Sequence, residues 1–157
     1  MKSGSLKKYA LFLFLILANS AAFAEVDAGY EGANEVPGTC PSHYNETDAW
    51  GFAGCNCTSY VAYRLRINNV RIDPGNQDSE LFDNTWGSSK IRFGYAFEWS
   101  SGAIKAGIRK DQYPAVGSVA YWDEKSIPDT GHVAYVQHLF INKMSGKLDA
   151  IGIMEYN

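Results

Sequence analysis

The stretch that decides the fold is WGFAGCNCTSYVAYRLR, residues 50–66. Its first half is rich in glycine and other small residues, and its second half has apolar residues at helical spacing. We therefore predict a loop that turns into a helix at or beside Cys57. A thiol at a helix start lies near unpaired backbone N–H groups and the positive end of the macrodipole, an environment that favours thiolate. Cys57 is therefore the candidate nucleophile for attack on an acyl carbon.

The first 24 residues have the parts of a secretory signal peptide. Three lysines form a positive start, residues 10–18 are apolar but too short to span a bilayer, and residues 22–24 (AFA) match a cleavage site. We expect residues 1–24 to be removed on export, which would leave no stable membrane span. An uncleaved membrane anchor is the alternative.

The exported part of the chain is expected to form one domain. Residues 25–49 are polar and rich in turn-forming residues, which predicts an exposed N-terminal arm. Residues 50–157 are predicted to be the catalytic domain, and the hydrophobic content of the whole chain, 46%, argues against disorder. The net charge of −3, without a basic block, argues against nucleic-acid binding. We expect a monomer.

The chain has three cysteines, an odd number for a protein predicted to be exported. One disulfide and one free thiol is the simplest arrangement. A bridge between Cys55 and Cys57 would close a strained ring, and a Cys40–Cys57 bridge is a further possibility. We favour Cys40–Cys55, which leaves Cys57 free and closes a loop of about 15 residues, worth roughly 3 kcal/mol in the chain-entropy model.

The remaining pattern indicates helices first and strands afterwards. The helix that starts at Cys57 should end before Pro74, residues 75–90 read as loop, and a short helical region is expected near residues 96–106. The predicted strands are residues 116–122, 131–140 and 148–156. The middle strand is apolar on both faces and so is expected to be central. This order predicts an α+β fold with an antiparallel sheet.

Three histidines, His43, His132 and His138, are candidates for the base that a thiol nucleophile needs. His132 opens a predicted strand, where its side chain can face a cleft. His138 lies six residues further along the same strand, roughly 20 Å away, so at most one of the two meets Cys57. We choose His132, with a purely structural histidine as the alternative.

Glu155 and Asn157 are two residues apart on the predicted last strand and so share one face. Beside the strand of His132, the carboxylate could fix the imidazole tautomer and favour imidazolium. The amide could orient the ring or bind an oxyanion. An exposed polar strand end is the alternative.

Four blocks in this order resemble the CHAP domain, the cysteine- and histidine-dependent amidohydrolase/peptidase family. The blocks are residues 57–64 (CTSYVAYR), 114–122 (PAVGSVAYW), 131–136 (GHVAYV) and 154–157 (MEYN). The resemblance covers about residues 50–157. It implies a papain-like, NlpC/P60-related fold in which N-terminal helices pack on an antiparallel sheet.

The resemblance also implies a function. It assigns Cys57 as nucleophile, His132 as base, and Glu155 and Asn157 to orienting and stabilising roles. It implies an amidase or endopeptidase that cleaves peptidoglycan amide bonds through a thioester acyl-enzyme. The predicted signal peptide adds the expectation that this hydrolase is secreted or periplasmic. We expect no cofactor and no metal. Peptidoglycan is the expected partner, and an inhibitor or targeting protein is a further candidate.

Two other classes of protein fit parts of the sequence. Cys40, His43, Cys55 and Cys57 could form a small zinc-binding domain, although Cys-x-Cys spacing is less usual than Cys-x-x-Cys. The aromatic residues could instead line the groove of a non-catalytic secreted glycan- or peptide-binding module. The aromatic candidates are Tyr44, Trp50, Tyr60, Tyr63, Trp86, Tyr95, Trp99 and Trp122.

Overall fold

The computed structural model describes residues 13–14, 46–72, 79–87 and 90–155. Cys40, His43 and Asn157, and most of the predicted signal peptide, lie outside these residues. In chain order the elements are β1 (Leu13–Phe14), α1 (Cys57–Ile67), β2 (Thr85–Trp86), β3 (Ile91–Arg92), a 3-10 turn (Ala96–Glu98), α2 (Trp99–Lys105), β4 (Lys110–Asp111), β5 (Val119–Trp122), β6 (His132–Ile141) and β7 (Leu148–Met154). The fold is α+β with antiparallel sheets, as predicted.

Helix α1 begins at Cys57, as the change of pattern predicted, and ends at Ile67, before Pro74. Asn69 adopts a left-handed conformation with φ 58°. Asparagine tolerates this conformation better than most residues, and a left-handed residue ends a helix because its backbone leaves the helical path. The helix buries a face that includes Val61 and Leu65 against the sheet.

The main sheet has the order β5–β6–β7, with β6 in the centre as its two-sided apolar pattern predicted. Trp122 lies opposite His132 in the pairing of β5 with β6, and Tyr135 lies opposite Met154 in the pairing of β6 with β7. The start of β6 therefore lies beside the ends of both neighbouring strands. The residue after Met154 is delivered next to the first residues of β6.

The core lies between α1 and one face of this sheet, and an aromatic cluster extends it. The rings of Phe82, Phe93 and Trp99 contact one another with centroids 5.2 to 5.6 Å apart. Large aromatic side chains bury much apolar area, so these contacts supply much of the stabilisation. Tyr60 and Trp86 are also buried. These burials weaken the prediction of an aromatic binding groove.

Some local expectations were wrong. Residues 75–90 were expected to be loop, but Thr85–Trp86 form β2, which pairs with β3. A strand of two residues is too short to show an alternating pattern. Val116 was placed in a strand but lies before β5 and is 45% exposed. The helical region expected near residues 96–106 is present as the 3-10 turn and α2.

The predicted signal peptide contains β1, whose backbone pairs antiparallel with β4. Leu13 lies opposite Asp111 and Phe14 opposite Lys110. Within the part of the chain that the structure describes, no helix is both long enough and apolar enough to cross a membrane.

Candidate active site

Cys57 is the first residue of α1 and is half-buried. The loop before it turns sharply at Cys55, whose φ of 59° is unusual for a residue with a side chain. Asn56 then precedes the helix in an extended conformation without a side-chain capping bond, and the first turn contains no acidic residue. No acidic side chain in this turn therefore neutralises the partial positive charge at the N-terminus of the helix. That partial charge stabilises a negative charge at this position.

A buried carboxylate holds the loop that leads to Cys57. Asp48 is 5% exposed, and its Oδ1 accepts hydrogen bonds from the backbone N–H groups of Trp50 at 3.1 Å and Phe52 at 2.8 Å. Its Oδ2 accepts a hydrogen bond of 2.5 Å from the Ser59 hydroxyl, in the first turn of α1. Burial raises the pKa of Asp48, while these hydrogen bonds act in the opposite direction. Residue 48 was expected in an exposed arm, and its burial corrects that expectation.

His132 is the first residue of β6, and it lines the same pocket as Cys57. Its Nε2 lies 2.6 Å from Glu155 Oε2. Because Nε2 is engaged by Glu155, Nδ1 is the ring nitrogen left for the Cys57 sulfur. The hydrogen bond with Cys57, and then that with Glu155, raises the pKa of His132, whereas burial lowers it. The site therefore favours imidazolium.

The turn before His132 requires glycine at residue 131. Gly131 has φ 61°, and a Cβ built there would lie 2.8 Å from the Trp122 carbonyl oxygen and 3.0 Å from Phe97 N. Phe97 N–H donates to the Thr130 carbonyl at 3.1 Å, and Gly131 N–H donates to the Ile127 carbonyl at 3.0 Å. Close backbone packing on two sides therefore fixes the position from which His132 starts.

Arg64 ties α1 to β6 and to the end of β7, the two strands that position His132 and Glu155. Its Nη2 donates to Gln137 Oε1 at 3.0 Å, and its Nη1 donates to Met154 Sδ at 3.2 Å. The guanidinium carbon lies 4.8 Å from the centre of the Tyr135 ring, a cation–π geometry. Since Met154 directly precedes Glu155, this contact network connects the helix of the thiol to the carboxylate.

The three side chains open into a pocket of about 530 Å³. Its lining residues are Asn56, Cys57, Trp122, Ile127, Thr130, Gly131, His132, Ile153 and Glu155. The Trp122 ring centre lies 5.6 Å from that of His132. The pocket thus combines polar, reactive groups with the apolar side chains of Trp122, Ile127 and Ile153, on which a substrate could pack.

The structure brings Cys57, His132 and Glu155 together, whereas the exposed His138 is not among the pocket residues. Asn157 lies outside the described residues, so its role stays a prediction. Of the two cysteines that the structure describes, Cys57 is the free thiol. The Cys40–Cys55 bridge stays a prediction as well, because Cys40 is not described.

The zinc-site alternative finds no support in the described ranges. They contain no group of three or more His, Cys, Asp or Glu side chains arranged to hold a metal ion. Cys57, one of its four proposed ligands, instead contacts His132. Cys40 and His43 belong to the segment that is not described.

Sequence reasoning missed three residues that shape the site. Asp48 lacked any local signal, because its partners are two backbone N–H groups of a loop and the Ser59 hydroxyl, eleven residues away. Ile127 and Ile153 are ordinary apolar residues whose position depends on the tertiary fold. Trp122 was named as a candidate for an aromatic groove, and its position opposite His132 could have been predicted, because an antiparallel pairing of the two predicted strands brings the end of one beside the start of the other.

An α+β fold with a cysteine at a helix start, facing a histidine at a strand start, defines the class of papain-like proteins. The family model described as CHAP domain matches residues 47–157, and the chain belongs to this family. The match includes Asp48. Membership supports hydrolysis of amide bonds, with peptidoglycan as the substrate of the family. No curated protein and no solved structure matches the chain.

Proposed function

We propose that this protein is an exported cysteine hydrolase that cleaves amide bonds in peptidoglycan. Cys57 is the nucleophile, His132 the general base and acid, and Glu155 the residue that orients His132. The observation that supports this best is that Cys57, His132 and Glu155 line one substrate-sized pocket, with His132 Nε2 lying 2.6 Å from Glu155 Oε2. Export through residues 1–24 and a Cys40–Cys55 bridge belong to the same proposal.

The first chemical step forms a bond between sulfur and carbon. His132 takes the thiol proton, and the Cys57 sulfur attacks the carbonyl carbon of the scissile amide. The carbonyl electron pair moves to oxygen. We assign the Cys57 backbone N–H, at the start of α1, as a donor to that oxyanion, whose charge the helix end stabilises.

The second step releases the amine. His132 gives its proton to the amide nitrogen as the carbon–nitrogen bond breaks, which leaves a thioester on Cys57. A water molecule then loses a proton to His132 and attacks the thioester carbon. The carbon–sulfur bond breaks, and the proton returns to the sulfur. One amide and one water become one carboxylic acid and one amine.

Glu155 keeps His132 suited to both steps. Its carboxylate accepts a hydrogen bond from the Nε2–H of His132. This hydrogen bond holds Nδ1 toward the sulfur, and the carboxylate stabilises the imidazolium that forms when the thiol loses its proton. We assign Asn157, two residues further on, to orienting the ring or binding the oxyanion, as the family resemblance implies.

The test is digestion of purified peptidoglycan, with released fragments identified by mass spectrometry. We expect Cys57→Ala and His132→Ala each to lower the rate by about 10³-fold or more, because the triad residues act as a unit. His138→Ala is the matched control, since His138 is exposed on the same strand and outside the pocket. Undiminished cleavage by Cys57→Ala would overturn the proposal, and peptidoglycan binding without any cleavage by the unaltered protein would favour the binding-module alternative.

A further inference from the structure

We infer that the hairpin tip between β6 and β7, residues 140–148 (FINKMSGKL), docks on an anionic phospholipid surface. Its apolar side chains enter the headgroup layer of the bilayer, and its lysines pair with the lipid phosphates. This attachment is peripheral and does not span the bilayer. It goes beyond the proposed function, because the residues of the hairpin tip are not among those that line the pocket.

The hairpin tip carries large apolar side chains that stay exposed in the described fold. Met144 is 99% exposed, Phe140 55%, Ile141 50% and Leu148 42%. Ile141 lies opposite Leu148 in the pairing of β6 with β7, so these two side chains share a face of the hairpin. Single exposed apolar residues are common, whereas a cluster of four within nine residues is typical of an interaction or membrane surface.

Backbone hydrogen bonds hold the turn of the hairpin tip in one conformation. Asn142 Oδ1 accepts hydrogen bonds from the backbone N–H groups of Met144 and Ser145, each at 3.0 Å. The Asn142 N–H donates to the Lys147 carbonyl, and the Gly146 N–H donates to the Asn142 carbonyl, each at 2.8 Å. Met144 is therefore presented on ordered backbone, so docking costs little backbone conformational entropy.

The charge of the hairpin tip is opposite in sign to the net charge of the chain. Residues 140–148 contain Lys143 and Lys147 and no acidic residue, and Asp149 follows directly. The whole chain has 14 Lys and Arg against 17 Asp and Glu, a net charge of −3. An anionic surface therefore attracts the hairpin tip and repels the rest of the molecule, which orients the protein.

The lysines also argue against a second copy of the chain as the occupant. A symmetric dimer through this surface would place the two lysines of one tip near those of the other, and like charges across an interface are unfavourable. An anionic bilayer instead offers an apolar layer beneath a negatively charged surface, which matches both kinds of side chain in the hairpin tip.

The hairpin tip and the pocket lie at opposite ends of β6. The strand begins at His132, which lines the pocket, and ends at Ile141 in the hairpin tip. An antiparallel strand rises about 3.4 Å per residue, so about 30 Å separates the two ends. A molecule docked through the hairpin tip therefore keeps its pocket away from the lipid and open to a substrate in the aqueous layer.

The test is cosedimentation of the protein, recovered after export, with lipid vesicles. One set contains phosphatidylglycerol and phosphatidylcholine in equal amounts, and the other contains phosphatidylcholine alone. We expect binding to the anionic vesicles to be at least about tenfold stronger, because each lysine near such a surface strengthens binding about fivefold. Raising the salt concentration should reduce this difference, since salt screens exposed charges.

Matched variants separate the two contributions. Met144→Gln should weaken binding to the anionic vesicles about fivefold or more, and Ile104→Gln is its control, because Ile104 is 61% exposed on α2. Lys143→Glu should weaken the same binding about tenfold, and Lys105→Glu, also exposed and on α2, is its control. All four side chains are exposed, so the variants should fold, which circular dichroism checks.

The inference is overturned if the unaltered protein does not bind the anionic vesicles. It is also overturned if Met144→Gln and Lys143→Glu bind them as tightly as their controls do. A dimer that forms without lipid and is lost in Met144→Gln, as measured by analytical ultracentrifugation, would assign the hairpin tip to a second copy and overturn it too. These measurements do not depend on cleavage, so the inference and the proposed function can fail separately.

Discussion

The imidazole Nε2 of His132 lies 2.6 Å from Glu155 Oε2, although 23 residues separate them in the chain. The contact follows from the antiparallel pairing of β6 with β7, which brings the end of one strand beside the start of the other. The His132 side chain is 13% exposed, and that of Glu155 is 49% exposed. Solvent therefore reaches the carboxylate more readily than the imidazole that it orients.

Glu155→Gln should shift the pH dependence of catalysis. The pKa of His132 is raised above 6.5 by its hydrogen bond with Cys57 and then by that with Glu155. Removal of the carboxylate charge lowers this pKa, so the alkaline limb of the kcat/KM profile should move to lower pH. We expect a rate loss of about tenfold at the optimum. Rate measurements across pH 5 to about 10 check this, and an unmoved alkaline limb would count against the role of Glu155.

The same contact predicts a pH-dependent stability. The pKa of His132 is higher in the folded protein than its ordinary value of 6.5, so protonated His132 stabilises the fold. This stabilisation is fully present below pH 6.5 and is lost as the pH rises through the pKa of the folded protein. Urea unfolding should therefore show that Glu155→Gln is more destabilising below pH 6.5 than at alkaline pH. A destabilisation that is constant with pH would contradict this linkage.

Gly131→Ala should destabilise the protein more than the general penalty for a left-handed residue. The added Cβ would lie 2.8 Å from the Trp122 carbonyl oxygen, a backbone atom that cannot simply rotate away. Gly146→Ala is the control, because Gly146 has φ 67° but no atom within 4 Å of the new Cβ. We expect backbone strain to lower the free energy of unfolding of both variants by about 1 kcal/mol. The steric clash should lower that of Gly131→Ala by about 1–3 kcal/mol more. Equal losses in chemical unfolding would contradict the packing argument.

Arg64→Lys should lower activity more than Arg66→Lys. The Arg64 guanidinium donates from two nitrogen atoms at once, to Gln137 and to Met154, and the single amine of lysine cannot reproduce this geometry. The end of β7 and Glu155 should therefore be held less firmly. Arg66 instead donates to the Phe82 carbonyl at 2.8 Å, away from the pocket. We expect kcat to fall about three- to tenfold in Arg64→Lys and to change little in Arg66→Lys, as measured at matched folded fractions. Equal effects on kcat would mean that Arg64 has only a general structural role.

Asp48→Asn and Asp111→Asn should change the pH dependence of stability with opposite signs. The pKa of Asp48 is raised by burial, so its contribution to stability falls as pH rises from 3.8 through the folded pKa. The pKa of Asp111 is lowered, first by the Tyr113 backbone N–H, so its contribution is present above 3.8 and is lost on acidification. The free energy of unfolding is measured by chemical unfolding from about pH 3 to 7 for the unaltered protein and for each variant. The difference between the two free energies at each pH gives the contribution of one carboxyl group. Slopes of the same sign would contradict this assignment.

The parts of the structure that were predictable depend on local pattern. Helical spacing after Cys57 predicted α1, and the apolar run after Gly131 predicted a central β6. The order of the elements along the chain then predicted an antiparallel sheet. These predictions were confirmed because hydrophobic periodicity and turn residues are properties of short segments.

The parts that were not predictable depend on contacts between distant segments. β2 is two residues long and exists only because β3 pairs with it. Asp48 looked like an exposed acidic residue, yet its carboxylate accepts three hydrogen bonds in a buried loop. Ile127 reaches the pocket through a turn whose path depends on backbone packing around Gly131. Such tertiary contacts leave no periodic signal in the sequence.

The most direct test of the central claim is a search for the covalent intermediate on Cys57. The protein is mixed with soluble peptidoglycan fragments, quenched in acid during turnover, digested and mapped by mass spectrometry. The account predicts a thioester adduct on the peptide that contains Cys57, with the mass of the acyl part of the cleaved bond. Steady turnover with Cys57 unmodified, together with full activity of Cys57→Ala, would contradict it.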